Sequence, residues 1–252
     1  MDLGLKSKKA IVTGGTRGIG AAIVDVLLEE GAVVSTCARN EGEVTALNER
    51  AAADGLSLHA SVCDVADPAA QAEWMTSRIA AMGGLDVFIP NVSGGAQPGE
   101  EGWKSAFEVD MMATVRGSEQ ALPVIAQGGG GSIVIIASIS GLEGFSGPSG
   151  YGAIKAGLIS YASQLAEVAA AHNVRVNAVS PGPIHVDDGF WGKVKQDQPE
   201  MYDAVCARHP SGRMGTTMEV ANAAVFLASP AASWIAGTNL IVDGSITRRV
   251  QF

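Results

Sequence analysis

Short apolar runs that lack inward and outward alternation, separated by longer amphipathic stretches, are the feature that most constrains this chain. Seven such runs predict β-strands, at 10–13, 32–38, 56–62, 87–89, 132–138, 174–179 and 240–242. A strand that is apolar on both sides is buried on both faces, which is typical of a parallel sheet covered by helices. The pattern predicts an α/β fold: a single doubly wound Rossmann domain with a seven-stranded parallel sheet and helices on both faces.

The stretches between these runs predict helices at 18–30, 41–53, 68–82, 103–126, 151–171 and 217–228. Asp67 followed by Pro68 is a favourable N-cap with proline at the first helical position. No linker divides the chain, so we expect one domain over 1–252. The stretch at about 183–213 has weak periodicity and follows a strand end, and we interpret it as a substrate lid.

Charge and composition exclude several classes of protein. The 252 residues are 47% hydrophobic and carry a net charge of −9. This composition supports a sizeable core, and the acidic balance disfavours nucleic acid and anionic membranes, which bind mainly to basic patches. The N-terminal residues lack a signal-peptide core, and no apolar run has the length of a membrane span. We therefore expect a soluble, cytoplasmic protein.

The cysteines give no sign of a metal site. Cys37, Cys63 and Cys206 form no CxxC pair and no zinc pattern with the four histidines. We interpret them as reduced thiols in or near the core.

A glycine-rich segment, TGGTRGIG, lies between the first predicted strand and the first helix. Its spacing is G-x-x-x-G-x-G. Glycines at such a turn let the backbone approach a pyrophosphate closely, and the following helix N-terminus offers N–H donors. A bare turn is the alternative. We favour a dinucleotide site, and its predicted contacts are Gly14, Thr16, Arg17, Gly18, Ile19 and Gly20.

The end of the second predicted strand, Cys37-Ala38-Arg39, bears on which dinucleotide binds. A site for NAD usually has a carboxylate near this point, which accepts from the ribose 2′-hydroxyl, whereas arginine attracts a 2′-phosphate. Arg39 and Arg17 therefore favour NADP over NAD. Two solvated surface arginines are the alternative interpretation.

Tyr151 and Lys155 are four residues apart on a predicted helix and therefore share a face. Ser138 ends the preceding strand, thirteen residues before Tyr151. With the glycine segment, Pro181-Gly182 and Val242-Asp243-Gly244, these residues make the chain resemble the short-chain dehydrogenase/reductase family. The resemblance covers nearly the whole chain, in the family's order and spacing.

The resemblance implies an oxidoreductase that moves a hydride between NADP(H) and the carbonyl or alcohol carbon of a ketone or secondary alcohol. Tyr151 would be the general acid in reduction and the general base in oxidation. A free phenol loses its proton only near pH ~10, so a neighbouring positive charge on Lys155 would assist it. Lys155 would also hold the nicotinamide ribose, and Ser138 would orient the substrate oxygen.

The resemblance also implies the remaining contacts. Asp64 and Val65 would contact the adenine end, Asn91 would lie beside the cofactor, and three residues would face the nicotinamide: Pro181, Gly182 and Ile184. The family is commonly tetrameric, through the two long helices and the C-terminal strand region, so a homotetramer is expected. The C-terminal tail at 248–252 would reach a neighbouring subunit or fray.

Three positions depart from the family pattern. Ser93 replaces a glycine after the fourth strand, and Val186 replaces a threonine that binds the carboxamide. Asp110 replaces an asparagine that supports a water chain to the lysine, partly through its backbone carbonyl. Three readings of Asp110 are open: a retained relay, which we favour; a carboxylate that pairs with Lys155; or a damaged relay with slow turnover.

The substrate is less constrained. The aromatic and apolar side chains of the lid line a pocket or pack the lid onto its own domain; they are Phe190, Trp191, Met201 and Tyr202. A reductase of β-ketoacyl groups on acyl carrier protein needs a basic docking face. Between Glu100 and Gln120, acidic residues outnumber basic ones, so a free small molecule is favoured.

Two further rivals have weaker support. A catalytically weak NADP(H) sensor or scaffold rests on Asp110 and Ser93 alone. A hydrolase is discounted because the sequence has no G-x-S-x-G elbow around Ser138.

Overall fold

The computed structural model describes residues 2–145, 147–248 and 250. Seven strands form one parallel sheet in the order β3-β2-β1-β4-β5-β6-β7. Their bounds are β1 Lys9–Thr13, β2 Val33–Ala38, β3 Leu58–Val62, β4 Val87–Ile89, β5 Gly131–Ile136, β6 Val174–Pro181 and β7 Asn239–Val242. The predicted seven-stranded parallel sheet is confirmed.

The α-helices of the described residues are α1 Gly18–Glu29, α2 Glu41–Asp54, α3 Pro68–Met82, α4 Gly99–Ser105, α5 Ala113–Gln127, α6 Gly150–Ala169, α7 Phe190–Asp197, α8 Pro199–Arg208 and α9 Thr217–Ala228. Short 3₁₀ turns occur at Ile139–Gly141, Ala170–His172 and Pro230–Ala232. The single helix predicted at 103–126 was wrong in one respect. A π-helical segment, Ala106–Met112, joins α4 to α5.

Local capping explains why several helices begin and end where they do. The Asp67 side chain accepts hydrogen bonds from the backbone N–H groups of Ala69 and Ala70, and Pro68 occupies the first turn of α3. Gly83 ends the same helix in the left-handed conformation, which glycine adopts without steric cost. The sequence predicted the bounds of α3 because both ends carry these local signals.

The sheet separates two hydrophobic cores. On one face α1 and α9 pack over Val12, Ile89 and Val134. On the other face α3, α5 and α6 pack over neighbouring strand residues such as Phe88 and Ile133. Successive residues of one strand thus enter opposite cores, which accounts for strands that are apolar on both sides.

Strand order reverses between β1 and β4, which are neighbours in the sheet although β2 and β3 lie between them in sequence. Ligands of doubly wound folds bind at the carboxyl ends of the strands at this switch point. The glycine segment, the end of β2 and the loop after β4 all lie there. The segment predicted as a lid contains α7 and α8 and follows β6.

Among the described residues, no helix is both long enough and apolar enough to cross a membrane. The predicted subunit contact of the C-terminal tail falls largely on Arg249, Gln251 and Phe252, which lie outside the described residues.

Candidate active site

A cleft of about 820 Å³ opens at the carboxyl ends of the strands. It brings together most of the predicted cofactor contacts: Gly14, Thr16, Arg17, Gly18, Ile19, Gly20, Arg39, Asp64, Val65, Asn91 and Ile184. Pro181 ends β6 and Gly182 follows it, and neither is among the described residues that line the cleft. The predicted cofactor contacts Tyr151 and Lys155 are not among them either. Val109 of the π-helical segment also lines it, which the sequence did not indicate.

The glycine segment forms a backbone cradle. Gly14 and Gly18 have φ angles of +70° and +59°, in the left-handed region that side chains rarely adopt. A Cβ atom at Gly20 would collide with the carbonyl oxygen of Gly14, whereas one at Gly18 would meet no atom within 4 Å. The turn is therefore tight on its inner side and open toward the cleft, as a pyrophosphate requires.

Asn91 holds this cradle from the neighbouring strand end. Its side-chain amide donates to the carbonyl oxygens of Thr13 (3.0 Å) and Gly14 (3.2 Å), and its backbone N–H donates to Thr13 Oγ1 (3.0 Å). The sequence placed Asn91 beside the cofactor, but these bonds to the glycine segment depend on the pairing of β1 with β4.

Arg17 and Arg39 are exposed at one end of the cleft. Within the described part of the chain, neither guanidinium has an acidic side chain at ion-pair distance. Thr16 Oγ1 donates to Glu43 Oε2 at 2.6 Å, and Glu43 lines the same cleft. The cleft therefore places acidic groups, Glu43 and Asp64, among the same lining residues as the two arginines.

The thiols of Cys37 and Cys63 meet at the strand ends that floor the cleft. Their mutual hydrogen bond raises the pKa of Cys37 and lowers that of Cys63. Cys206 lies apart from them on α8, and all three cysteines are free. The prediction of reduced thiols in or near the core agrees with this placement.

Tyr151 and Lys155 occupy the first turns of α6. The Ser149 side chain caps this helix by accepting from the Gly152 N–H at 3.3 Å. Lys155 is only 2% exposed, and its Nζ donates to the carbonyl oxygen of Ile136 at 2.9 Å. Nζ also lies 5.6 Å from the centroid of the Tyr151 ring. The structure therefore keeps a lysine ammonium group beside the phenol.

Ser138 is positioned by a 3₁₀ turn and not by the strand, which ends at Ile136. Its hydroxyl accepts a hydrogen bond from the Ser140 N–H at 3.1 Å. A Cβ atom at Gly141 would lie 2.5 Å from the backbone nitrogen of Ala156. The turn that Ser138 caps thus packs directly against the part of α6 that carries Lys155.

Asp110 forms a buried ion pair with Lys155. Its Oδ1 lies 3.0 Å from Nζ, with the side chains 0% and 3% exposed respectively. Its Oδ2 accepts from the Gly94 N–H at 2.7 Å. Of the three sequence readings, this geometry matches the pairing one; the backbone relay that we favoured is not tested by it. Asp110 also ties the loop after β4 to the lysine.

The π-helical segment explains how Asp110 gains this position. A π turn is one residue wider than an α turn, and such turns are frequent at functional sites. At its end, the Ala113 N–H donates to the carbonyl oxygen of Glu108, a spacing of five residues. The widening places Val109 on the cleft and its neighbour Asp110 in the interior.

The segment after β6 contributes aromatic groups. Phe190 and Trp191 line the cleft, in an edge-to-face arrangement with ring centroids 5.1 Å apart. Tyr202 instead bonds His185 within the segment, at 3.2 Å between its hydroxyl and Nδ1. The sequence left open whether these side chains line a pocket or pack the lid onto its own domain; Phe190 and Trp191 line the cleft, whereas the bond of Tyr202 stays within the lid. Met201 is largely exposed.

Comparisons with known proteins agree with this site. A family model described as Enoyl-(Acyl carrier protein) reductase matches residues 14–247. Isoepoxydon dehydrogenase patN of Penicillium expansum is 37% identical, over 100% of this chain and 99% of that protein. The 3-oxoacyl-(acyl-carrier-protein) reductase FabG of Vibrio harveyi is 32% identical, over 97% and 99%.

Solved structures show the same architecture. The L-sorbose reductase of Gluconobacter frateurii, described as a complex with NADPH and L-sorbose, superimposes with a TM-score of 0.90 at 28% identity, covering 99% of this chain and 100% of that one. The fold, the family model and these relatives agree. The chain therefore belongs to the short-chain dehydrogenase/reductase family of oxidoreductases.

Proposed function

We propose that this protein is an NADP(H)-dependent oxidoreductase that interconverts a ketone and a secondary alcohol on a free small molecule, with Tyr151 as the proton-transfer residue. The observation that carries the proposal is the ammonium group of Lys155, buried and 5.6 Å from the Tyr151 ring centroid. A buried cation beside a phenol favours the phenolate and therefore has a direct use in proton transfer. Asp110 supplies the counter-charge that a buried ammonium group needs.

The described residues fit a dinucleotide with a 2′-phosphate. The glycine cradle and the N-terminus of α1 suit the pyrophosphate, Asp64 and Val65 suit the adenine end, and Arg17 and Arg39 suit the phosphate. When bound, the nicotinamide supplies the hydride. The relative described as a complex with NADPH supports the same choice of cofactor.

The protein's own contribution is proton transfer and positioning. Tyr151 donates its hydroxyl proton to the substrate oxygen in reduction and accepts one in oxidation. Lys155 stabilises the resulting phenolate by its charge. Ser138 hydrogen-bonds the substrate oxygen and orients it. We propose that Pro181, Gly182 and Ile184 bound the nicotinamide end, and that the segment at about 183–213 acts as the lid.

A free small molecule is favoured over a carrier-bound substrate, although a FabG is among the relatives. Between Glu100 and Gln120 the basic residues are Lys104 and Arg116. Lys104 is already paired with Glu100 and Glu101, at 2.9 and 3.0 Å. An acidic carrier protein would meet these carboxylates and be repelled. The relatives named isoepoxydon dehydrogenase and L-sorbose reductase have names that refer to free small molecules.

We also propose a homotetramer in the cytoplasm. Trp234 is 99% exposed beside β7, and Trp103 and Phe107 are about half exposed on α4 and the π-helical segment. Aromatic residues are enriched in subunit interfaces, so these side chains are compatible with the tetramer that the family resemblance implies. The three free cysteines suit a reducing compartment.

The experiment that tests the cofactor is a titration with NADPH and with NADH, followed by nicotinamide fluorescence. The variant is Arg39→Ala, and Arg50→Ala is the matched control because Arg50 is a half-exposed arginine on α2 that pairs with Asp25. We expect NADPH to bind tightly to the wild type and to weaken selectively in Arg39→Ala. Equal binding of both nucleotides, or a preference for NADH, would contradict the phosphate site.

A further inference from the structure

Glu43 is an acidic side chain inside the end of the cleft that holds Arg17 and Arg39. It is half-buried in the first turn of α2, and its backbone N–H donates to the capping Asn40 side chain at 3.1 Å. Its Oε2 accepts a hydrogen bond from the Thr16 hydroxyl, with 2.6 Å between the two oxygen atoms. Glu43 therefore connects α2 to the glycine segment across the cleft.

The charges around Glu43 have opposite signs. Arg17 and Arg39 line the cleft without acidic partners in the described residues, and the N-terminus of α2 adds a partial positive charge. Glu43 brings a carboxylate into the same lining, where Asp64 follows β3 as another acidic residue. Glu41 lies in the same first turn but is exposed and outside the residues that line the cleft.

We propose that Glu43 is a specificity-determining residue that limits the preference for NADP(H) over NAD(H). The inference rests on the proposed function, because it assigns the phosphate to the end of the cleft where Arg17 and Arg39 lie. A carboxylate in that end repels a 2′-phosphate but has little effect on a ribose hydroxyl. Glu43 thereby lowers the affinity for NADP(H), which Arg17 and Arg39 would otherwise make higher.

The physical basis is a difference in ligand charge. A phosphate monoester carries roughly −1.5 to −2 charges at neutral pH, whereas the ribose hydroxyl of NAD(H) carries none. The Coulomb energy with Glu43 therefore differs between the two nucleotides, and it opposes the attraction that Arg17 and Arg39 exert on the same phosphate. The hydrogen bond to Thr16 is a second role of Glu43, and it affects both nucleotides alike because it shapes the glycine segment.

Three variants separate these roles. Glu43→Gln keeps an oxygen that accepts from Thr16 but removes the charge. Thr16→Val keeps the charge but removes the hydroxyl, and so tests the connection to the glycine segment alone. Glu41→Gln makes the same charge change in the same helical turn outside the cleft, and it serves as the matched control.

The test is the dissociation constant of each protein for NADPH and for NADH at low and at high salt. In Glu43→Gln we expect NADPH to bind roughly two- to fivefold more tightly, the range that exposed charge pairs produce. Binding of NADH should not change, and the gain should shrink as salt screens the repulsion. Glu41→Gln should leave both constants unchanged, and Thr16→Val should weaken both by a similar factor.

Three results would overturn the inference. If Glu43→Gln changes NADPH and NADH binding by the same factor, Glu43 acts only through the glycine segment. If it weakens NADPH binding, the carboxylate assists the arginines instead of opposing the phosphate. A wild type that prefers NADH, with Glu43→Gln still strengthening NADPH alone, would overturn the proposed cofactor and leave the role of Glu43 standing. A wild type that binds neither nucleotide would overturn both.

Discussion

Asp110 stands where the family resemblance led us to expect asparagine, and its carboxylate forms an ion pair with Lys155. One oxygen pairs with Lys155 and the other accepts from the Gly94 N–H, both out of contact with solvent. A buried ion pair adds little stability compared with apolar residues of similar volume in the same place. Removing one partner is nevertheless costly, because the other charge stays buried without a counter-charge. Asp110 thus ties the position of Lys155 to the loop that lines the cleft.

Asp110→Asn tests that link. The amide is nearly isosteric, but it leaves the Lys155 ammonium buried without a counter-charge. We expect a loss of about 3 kcal/mol in the free energy of unfolding, measured by urea denaturation. The pH–rate profile for ketone reduction should also change, because the carboxylate contacts the lysine that lies beside the phenol. Unchanged stability and an unchanged profile would show that the carboxylate has no special role.

Single residues differ in how far sequence predicts them. Helical spacing predicted that Tyr151 and Lys155 share a face, and only the family resemblance supplied their roles. The ion pair of Asp110 was one of three open readings and the bond from Thr16 to Glu43 was not predicted, because each contact joins elements far apart in sequence. The first contact depends on where the π-helical segment widens, and the second depends on how α2 lies beside the glycine segment. No local sequence pattern indicates either.

At the scale of elements, capping interactions set helix bounds and also create pH-dependent stability. Thr216 and Glu219 form a reciprocal capping box at the start of α9. The hydrogen bond from Arg213, followed by that from the Thr216 backbone N–H, lowers the pKa of Glu219 from 4.5 to about 2. Helix α9 covers one face of the sheet, so this cap contributes to the whole core.

The sign of the Glu219 contribution follows from its lowered pKa. Its stabilisation is fully present above pH 4.5, the value in the absence of these partners, and is lost as the pH falls toward about 2. Glu219→Gln should therefore lower stability at pH 6 and show a smaller acid-dependent loss between those values. The melting temperatures of the wild type and the variant, measured as the pH falls from 4.5 toward about 2, test this expectation. An equal fall in the two melting temperatures would contradict it.

The cap itself can be removed separately. Thr216→Ala loses the side-chain acceptor for the Glu219 N–H, which we expect to cost about 1 kcal/mol. For a chain of this size that is a fall of about 3 °C in the melting temperature. Thr217→Ala, one residue further into α9, is the matched control. An equal effect of both substitutions would mean that the capping bond adds nothing.

Element bounds followed from sequence where the signals are local, as at Asp67-Pro68 and Gly83 of α3. The bounds did not follow from the sequence where packing between elements determines the structure. The helix predicted at 103–126 contains the π-helical segment, which packs against α6 so closely that a Cβ atom at Gly157 would lie 2.6 Å from Met111 Cε. The segment at 183–213 had no helical periodicity strong enough to predict α7 and α8.

At the scale of the whole molecule, alternation of apolar runs with helices was sufficient for the sheet. A right-handed crossover rule leaves few topologies for seven parallel strands, and the glycine segment after the first strand indicates the switch point. What the sequence could not supply is which surfaces another subunit covers, because apolar residues are exposed singly on most proteins.

The proposed tetramer makes a prediction at this scale. Among the residues that the structure describes, Trp234 is the most exposed large apolar side chain, and Trp234→Ser removes it without touching either core. We expect the wild type to elute as a tetramer in size-exclusion chromatography with light scattering, and the variant to dissociate at concentrations where the wild type does not. A monomeric wild type would exclude the tetramer.

The most direct test of the central claim is the oxidation of NADPH by the purified protein with a panel of small ketones, compared between the wild type and Tyr151→Phe. We predict turnover by the wild type, and in the variant a fall of roughly 10²- to 10⁴-fold in kcat, the contribution of a positioned general acid. NADPH binding should be retained because the phenol lies outside the phosphate end of the cleft. Equal turnover by both proteins would contradict the role of Tyr151 and with it the proposed mechanism.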